Sequence, residues 1–181
     1  MPGSALICAF AAAMSAAAPA GSVAVTNAPV PSLDLQRYAG PWHEIAHLPM
    51  FFQRQCVDQI TATYTANPNG TVGVHNACRT KKGDTDASDG VAKPVPGQPG
   101  ALKVRFAPGF LSWLPWVWAD YWVIELDPDY RWAVVGSPSL KYMWVLSRAP
   151  SMDAILFGQI RERARQRGYP VDKLVMAAPL D

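Results

Sequence analysis

Charge is scarce in this chain: only 17 % of its 181 residues are Asp, Glu, Lys or Arg, and together they leave a formal charge of +2. No polybasic run or periodic basic stripe is present, which argues against nucleic acid as a partner. Histidine and cysteine are scarcer still, at three residues each, so a metal centre would have few ligands to draw on. The Gly-x-Ser-x-Gly elbow, the glycine-rich phosphate loop and the Cys-x-x-Cys pair are all missing. With them go the usual signatures of hydrolase, nucleotide and thiol-redox chemistry. Beyond residue 20 no stretch of eighteen or more apolar residues occurs, which is too little for a helix crossing a bilayer.

Residues 1–20 contain no charge at all and are mostly Ala, with Leu6, Ile7, Phe10 and Met14. Ala18-Pro19-Ala20 before Gly21 has the small-x-small form of an export cleavage site. The expected organisation is therefore a signal peptide over 1–20, a flexible mature N-terminus over 21–32 and one domain over 33–179. Cys8 raises the alternative of a lipid anchor, but bulky Ile7 stands where a lipoprotein signal takes a small residue. The remaining length suffices for a single core.

The stretch Arg37 to Leu48 supports two incompatible functions. As a helix, His43-Glu44-Ile45-Ala46-His47 matches His-Glu-x-x-His, in which two histidines one turn apart hold zinc and the glutamate acts as general base of a metallopeptidase. As a strand it cannot, because residues i and i+4 then lie ~13 Å apart, against roughly 5–6 Å on a helix. Pro41 and Pro49 leave room for about two helical turns, and Gly40, Trp42, His43 and Ile45 are weak helix formers. The local sequence favours the strand, and the remaining histidine, His75, also falls in a strand-like segment.

Downstream, short runs rich in Val, Ile, Thr, Tyr and Trp recur between turn residues, the pattern of an all-β meander. Eight strands are expected at 41–48, 57–66, 70–79, 88–95, 101–107, 119–127, 130–137 and 141–148. One helix follows, capped by Ser151, carrying an apolar stripe of Met152, Ile155, Leu156, Ile160 and Ala164, and stopped by Gly168 and Pro170. It should pack outside the sheet, with a short final strand within 171–177.

Asp34-Leu35-x-Arg37-Tyr38-x-Gly40-x-Trp42-x-Glu44-Ile45-Ala46 resembles the opening of a lipocalin, in particular of the bacterial lipocalins. Pro128-Asp129-Tyr130 is similar to the family's Thr-Asp-Tyr turn, with proline for threonine, and Arg148 stands where the family has its closing arginine. The resemblance implies an eight-stranded antiparallel up-and-down barrel with one C-terminal α-helix outside. It also implies binding, transport or storage of a small hydrophobic ligand such as a fatty acid or lysophospholipid in the cell envelope, periplasm or outer membrane. The resemblance carries no cofactor, and neither a lipocalin-type isomerase nor a haem carrier finds a catalytic residue or axial ligand here.

Up-and-down order brings Gly40, Trp42, Asp129, Tyr130 and Arg148 to one end, where a guanidinium over an indole would close the barrel. The opposite end collects Phe51 and Phe52 in one loop and Phe110, Trp113, Trp116 and Trp118 in another. Loops normally face water, so these aromatics either fold back into the barrel mouth as extra core or bury against something outside, peripheral contact with a membrane included. Either outcome leaves a mouth suited to apolar ligands. Glu44 and Ala46 should share the inward face of the first strand with Trp42, while His43 and His47 project away from it. Cys56 and Cys78 are an even pair in an oxidising compartment and should form a disulfide, although the register of their hairpin requires a bulge or a longer loop.

Overall fold

A computed structural model describes residues 25–107, 109, 114 and 117–181. One helical turn, α1 (Leu35–Tyr38), opens the domain because the Asp34 carboxylate accepts the N–H groups of Gln36 and Arg37. Eight strands follow: β1 (Gly40–His47), β2 (Cys56–Ala66), β3 (Val72–Thr80), β4 (Thr85–Val95), β5 (Gln98–Arg105), β6 (Ala119–Leu126), β7 (Trp132–Gly136) and β8 (Met143–Ser147). Each pairs antiparallel with its successor, and β1 pairs with both β8 and β2, so the sheet closes into a barrel. Closure removes the free edges of an open sheet.

The barrel separates two apolar layers. Trp42, Tyr64, Val74, Leu102, Val123 and Leu146 face its interior. Ile45, Ala46, Val134 and Val145 face outwards against α2 (Ala154–Gln166), which buries Phe157, Ile160 and Ala164. The cap of α2 is Asp153, accepting from Leu156 N–H at 2.7 Å, and not the expected Ser151. Ile155, expected on the inward stripe, is 73 % exposed, and Phe157, which the expected stripe did not include, is buried in its place.

Helix α2 ends as its Tyr169 N–H bonds to Ala164 O at 3.1 Å. The Tyr169 hydroxyl then docks on Ser137, accepting from its N–H at 3.1 Å. A Cβ at Gly136 would come within 2.1 Å of that hydroxyl, so only glycine admits the contact. The chain finishes with a 3₁₀ turn at Val171–Lys173 and a two-residue β9 (Val175–Met176), shorter than the strand expected over 171–177.

Register slips in β1, β2 and β6 decide which side chains reach the interior. In β1 the register slips between Glu44 and Ala46, and Ile45 O accepts the N–H groups of both Ala177 and Ala178. Strand β2 pairs with β1 only through His43, so β9 covers the edge left at Ala46 and His47. Strand β2 carries two further shifts against β3 between Cys56 and Thr61, with Gln59 at φ 51°. In β6 a shift between Val123 and Glu125 turns Glu125 outwards, where it meets Arg163 at 2.8 Å and Arg167 at 3.3 Å.

Candidate functional site

The end at which β1 begins is closed. The Arg148 guanidinium lies 3.8 Å from the centre of the Trp42 ring. Its N–H groups donate to the carbonyls of Arg37, Tyr38, Ala39, Pro41 and Tyr130 at 2.8–3.3 Å. Gly40 adopts φ 96°, and a Cβ there would stand 3.3 Å from an Arg148 nitrogen, so glycine suits both the backbone and the plug. Tyr130, at φ 60°, accepts from Asp34 N–H and lies beneath Arg37. Asp129 itself is exposed. The structural carboxylate of that turn is Asp127, which accepts from the N–H groups of Asp129 and Arg131 and from the Arg131 side chain.

Above this plug the barrel holds a cavity of about 480 Å³. At its deep end the hydroxyls of Tyr38, Tyr121 and Tyr64 form a chain with two 2.8 Å links. Burial pushes all three phenols above their ordinary value, keeping them neutral. The walls carry Val74, Val104, Val135 and Leu146, and the Cys56–Cys78 disulfide, with Cα atoms 5.5 Å apart, lies in the wall towards the opening. The two slips in β2 bring these cysteines together, since Cys56 stands opposite Thr80 in the ladder.

Glu44 is the buried carboxylate of the cavity. Its Oε1 meets His47 Nδ1 at 2.5 Å, and Gln53 Nε2 donates to both carboxylate oxygens at 2.8 Å. Gln53 belongs to the 3₁₀ turn Phe51–Gln53 that folds over the opening, and its own oxygen accepts weakly from Trp144 Nε1 at 3.4 Å. Phe52, Tyr142 and Trp144 form a run of ring contacts along the rim.

The expected ligand-facing residues therefore divide. Glu44, Phe51 and Phe52 line the cavity. Ala46 does not: the β1 bulge turns it out against α2. The same slip brings His47 to the Glu44 side, where it is only 8 % exposed, in contrast to the outward position inferred from strict alternation. Trp118 is also absent from the lining and stacks with Lys93 at 4.1 Å and Arg105 at 5.2 Å. Phe110, Trp113 and Trp116 lie outside the described residues. Gln53, Asn76, Tyr64, Tyr121, Tyr142 and Trp144 were not singled out from the sequence. The inward tyrosines and Trp144 carry a period-2 signal, whereas nothing local marks Gln53 as folding back over the barrel.

A family model described as "Lipocalin-like domain" matches residues 33–179. The chain belongs to this family. Temperature-induced lipocalin-1 of Arabidopsis thaliana is 41 % identical over 148 residues, covering 80 % of this chain and 78 % of the relative. Outer membrane lipoprotein Blc of Vibrio cholerae is 33 % identical over 150 residues, covering 81 % and 83 %. Among solved structures, insecticyanin from the tobacco hornworm Manduca sexta matches with a TM-score of 0.66 at 20 % identity, over 88 % of this chain and 90 % of that one, which speaks for the fold alone.

Ligand binding and transport is the function class of the bacterial lipocalins, and this lipocalin has the barrel and an apolar cavity for it. The metallopeptidase alternative fails on geometry: His43, Glu44 and His47 lie on a bulged strand. Among the described residues no cluster of three His, Cys, Asp or Glu side chains could hold a metal.

Proposed function

We propose that this lipocalin binds one single-chain amphiphile, of the size of a fatty acid or lysophospholipid, in its barrel and carries or stores it in the bacterial cell envelope. The observation that carries this reading is the cavity of about 480 Å³, open at one end and lined mainly by aliphatic and aromatic side chains. A chain of a dozen methylenes contributes on the order of 10 kcal/mol gross at about 0.8 kcal/mol each. Ordering and lost translation return part of this, leaving affinities in the micromolar range. Because each methylene discriminates weakly, several chain lengths should be accepted.

Export supports the same reading. The uncharged residues 1–20 have signal composition, and curated relatives are named outer membrane lipoproteins. Phe51 and Phe52, 72 % and 48 % exposed beside the opening, are suited to brief contact with a membrane during loading.

Tryptophan fluorescence tests the proposal. Titrating delipidated protein with a twelve-carbon amphiphile should give a saturable change from Trp144 at the rim. Ala119 is exposed and lines the opening, so Ala119→Trp should obstruct entry and weaken binding about tenfold or more. Thermal stability should be retained, since no core position is altered. Unchanged affinity in this variant, or no saturation in the parent, would place the ligand elsewhere or nowhere.

A further inference from the structure

The floor of the cavity holds one hydroxyl proton more than it can use. Tyr121 on β6 meets Tyr64 on β2, hydroxyl to hydroxyl at 2.8 Å, and a second 2.8 Å link joins Tyr121 to Tyr38 of α1. Strands β2 and β6 stand on opposite sides of the closed sheet, so the Tyr64–Tyr121 link crosses the interior of the barrel instead of lying in its wall. Each phenol brings one O–H donor and can also accept. Three protons therefore share two hydrogen bonds, and none of these hydroxyls has a further partner among the described residues. However the chain is polarised, one proton is left over.

Position decides which residue carries it. Tyr38 is 1 % exposed and does not line the cavity, so a spare proton there would be sealed away from any acceptor. A buried donor without a partner forfeits its hydration. Tyr38 accordingly donates to Tyr121, and the spare proton falls to Tyr121 or Tyr64, both of which line the cavity. Around them stand Val74, Val104, Val135 and Leu146, whose side chains offer no acceptor.

The chemistry of the missing acceptor follows from charge. Among the described residues no Lys, Arg or His lines the cavity, and the loop 107–118 contains no charged residue or histidine in its sequence. Arg148 is engaged by Trp42 and by main-chain carbonyls. A carboxylate at the floor would be buried without a counterion, which is costly. A neutral oxygen needs only the donor that the floor has to spare.

We propose that Tyr64 and Tyr121 form a donor seat for a neutral oxygen at the inner end of the bound chain, so that this lipocalin accepts oxygenated tails such as those of ω-hydroxy fatty acids. The proposal rests on the binding function above and adds a second polar contact, at the end of the ligand opposite its head.

Calorimetry on the full delipidated protein at pH 7, below micellar concentrations, would compare plain fatty acids with their ω-hydroxylated forms in pairs of ten to sixteen carbons, so that one tail has the length to reach the floor. In that pair the hydroxylated acid should bind at least as tightly as the plain one, although its added hydroxyl leaves water. Combining Tyr38→Phe, Tyr64→Phe and Tyr121→Phe removes the three hydroxyls together and strands none of them. A single substitution would not serve, because the hydroxyls that remain still have a proton to spare. In the triple variant the hydroxylated acid should lose about tenfold relative to the plain one, with circular dichroism reporting the intact barrel. If the variant does not fold, the pairs measured on the parent decide alone. Hydroxylated acids that bind about tenfold weaker than plain ones at every length, or a ratio unchanged in the triple variant, would overturn the seat while binding itself stands. A plain acid weakened about tenfold in the variant would put the carboxyl at the floor and overturn the neutral-oxygen assignment. Failure of every acid to bind would remove both readings.

Discussion

Arg148 shows how much one side chain can organise. Its planar guanidinium lies on Trp42 and reaches five main-chain carbonyls from α1, β1 and the Asp127–Arg131 turn. Lys can supply the charge but not this fork. Arg148→Ala should lower unfolding stability by about 3 kcal/mol, and Arg148→Lys should restore little of it; urea denaturation of both variants is the check. Asp127 offers a pH test. Hydrogen bonding from Arg131 holds its carboxyl below the usual carboxylate range. A depressed folded value means that the stabilisation is present above the unfolded value and is lost as pH falls through the folded one. Asp127→Asn should therefore be less stable by about 1–2 kcal/mol at pH 7, with the difference from the parent shrinking below about pH 4. Titrating the unfolding midpoints of both proteins would show a constant gap if Asp127 contributes no charge. Trp42, Gly40 and Arg148 could be read from the sequence because their spacing places them together whatever the details of the strands. Ala46 and His47 could not, because one extra residue in β1 reverses the inward and outward assignment beyond it.

The strands themselves were legible, since β-branched and aromatic runs between turn residues follow from the period of the sheet. All eight appear, with ends displaced by a few residues. What could not be read is where a strand slips. The slips in β2 and β6 depend on packing across the barrel, and they settle both the cysteine pairing and the outward turn of Glu125 towards Arg163 and Arg167. Helix α2 was legible as a helix but not in its face: Phe157 outcompetes Ile155 for the sheet, and Asp153 outcompetes Ser151 as cap because it stands three residues before Leu156. The disulfide carries the prediction at this scale. It joins residues 22 apart in sequence, and replacing both cysteines by serine should cost roughly 3 kcal/mol in the chain-entropy model. Chemical denaturation of oxidised, reduced and double-serine proteins would measure it, and three coincident curves would show that the bridge contributes nothing.

For the molecule as a whole, up-and-down strand order placed an opening opposite the Arg148 plug, but the identity of the cavity lining needed three dimensions. Gln53 reaches Glu44 only because the 3₁₀ turn folds inwards, and Tyr64 and Tyr121 meet only because β2 and β6 face each other across a closed barrel. The central claim is that this interior holds one amphiphile. Native mass spectrometry of the protein purified after export tests it most directly. The account predicts a polypeptide lacking residues 1–20 and carrying a single lipid-sized adduct, lost on delipidation and regained one per chain when a twelve-carbon amphiphile is added. A bare polypeptide that stays bare after that addition would contradict it.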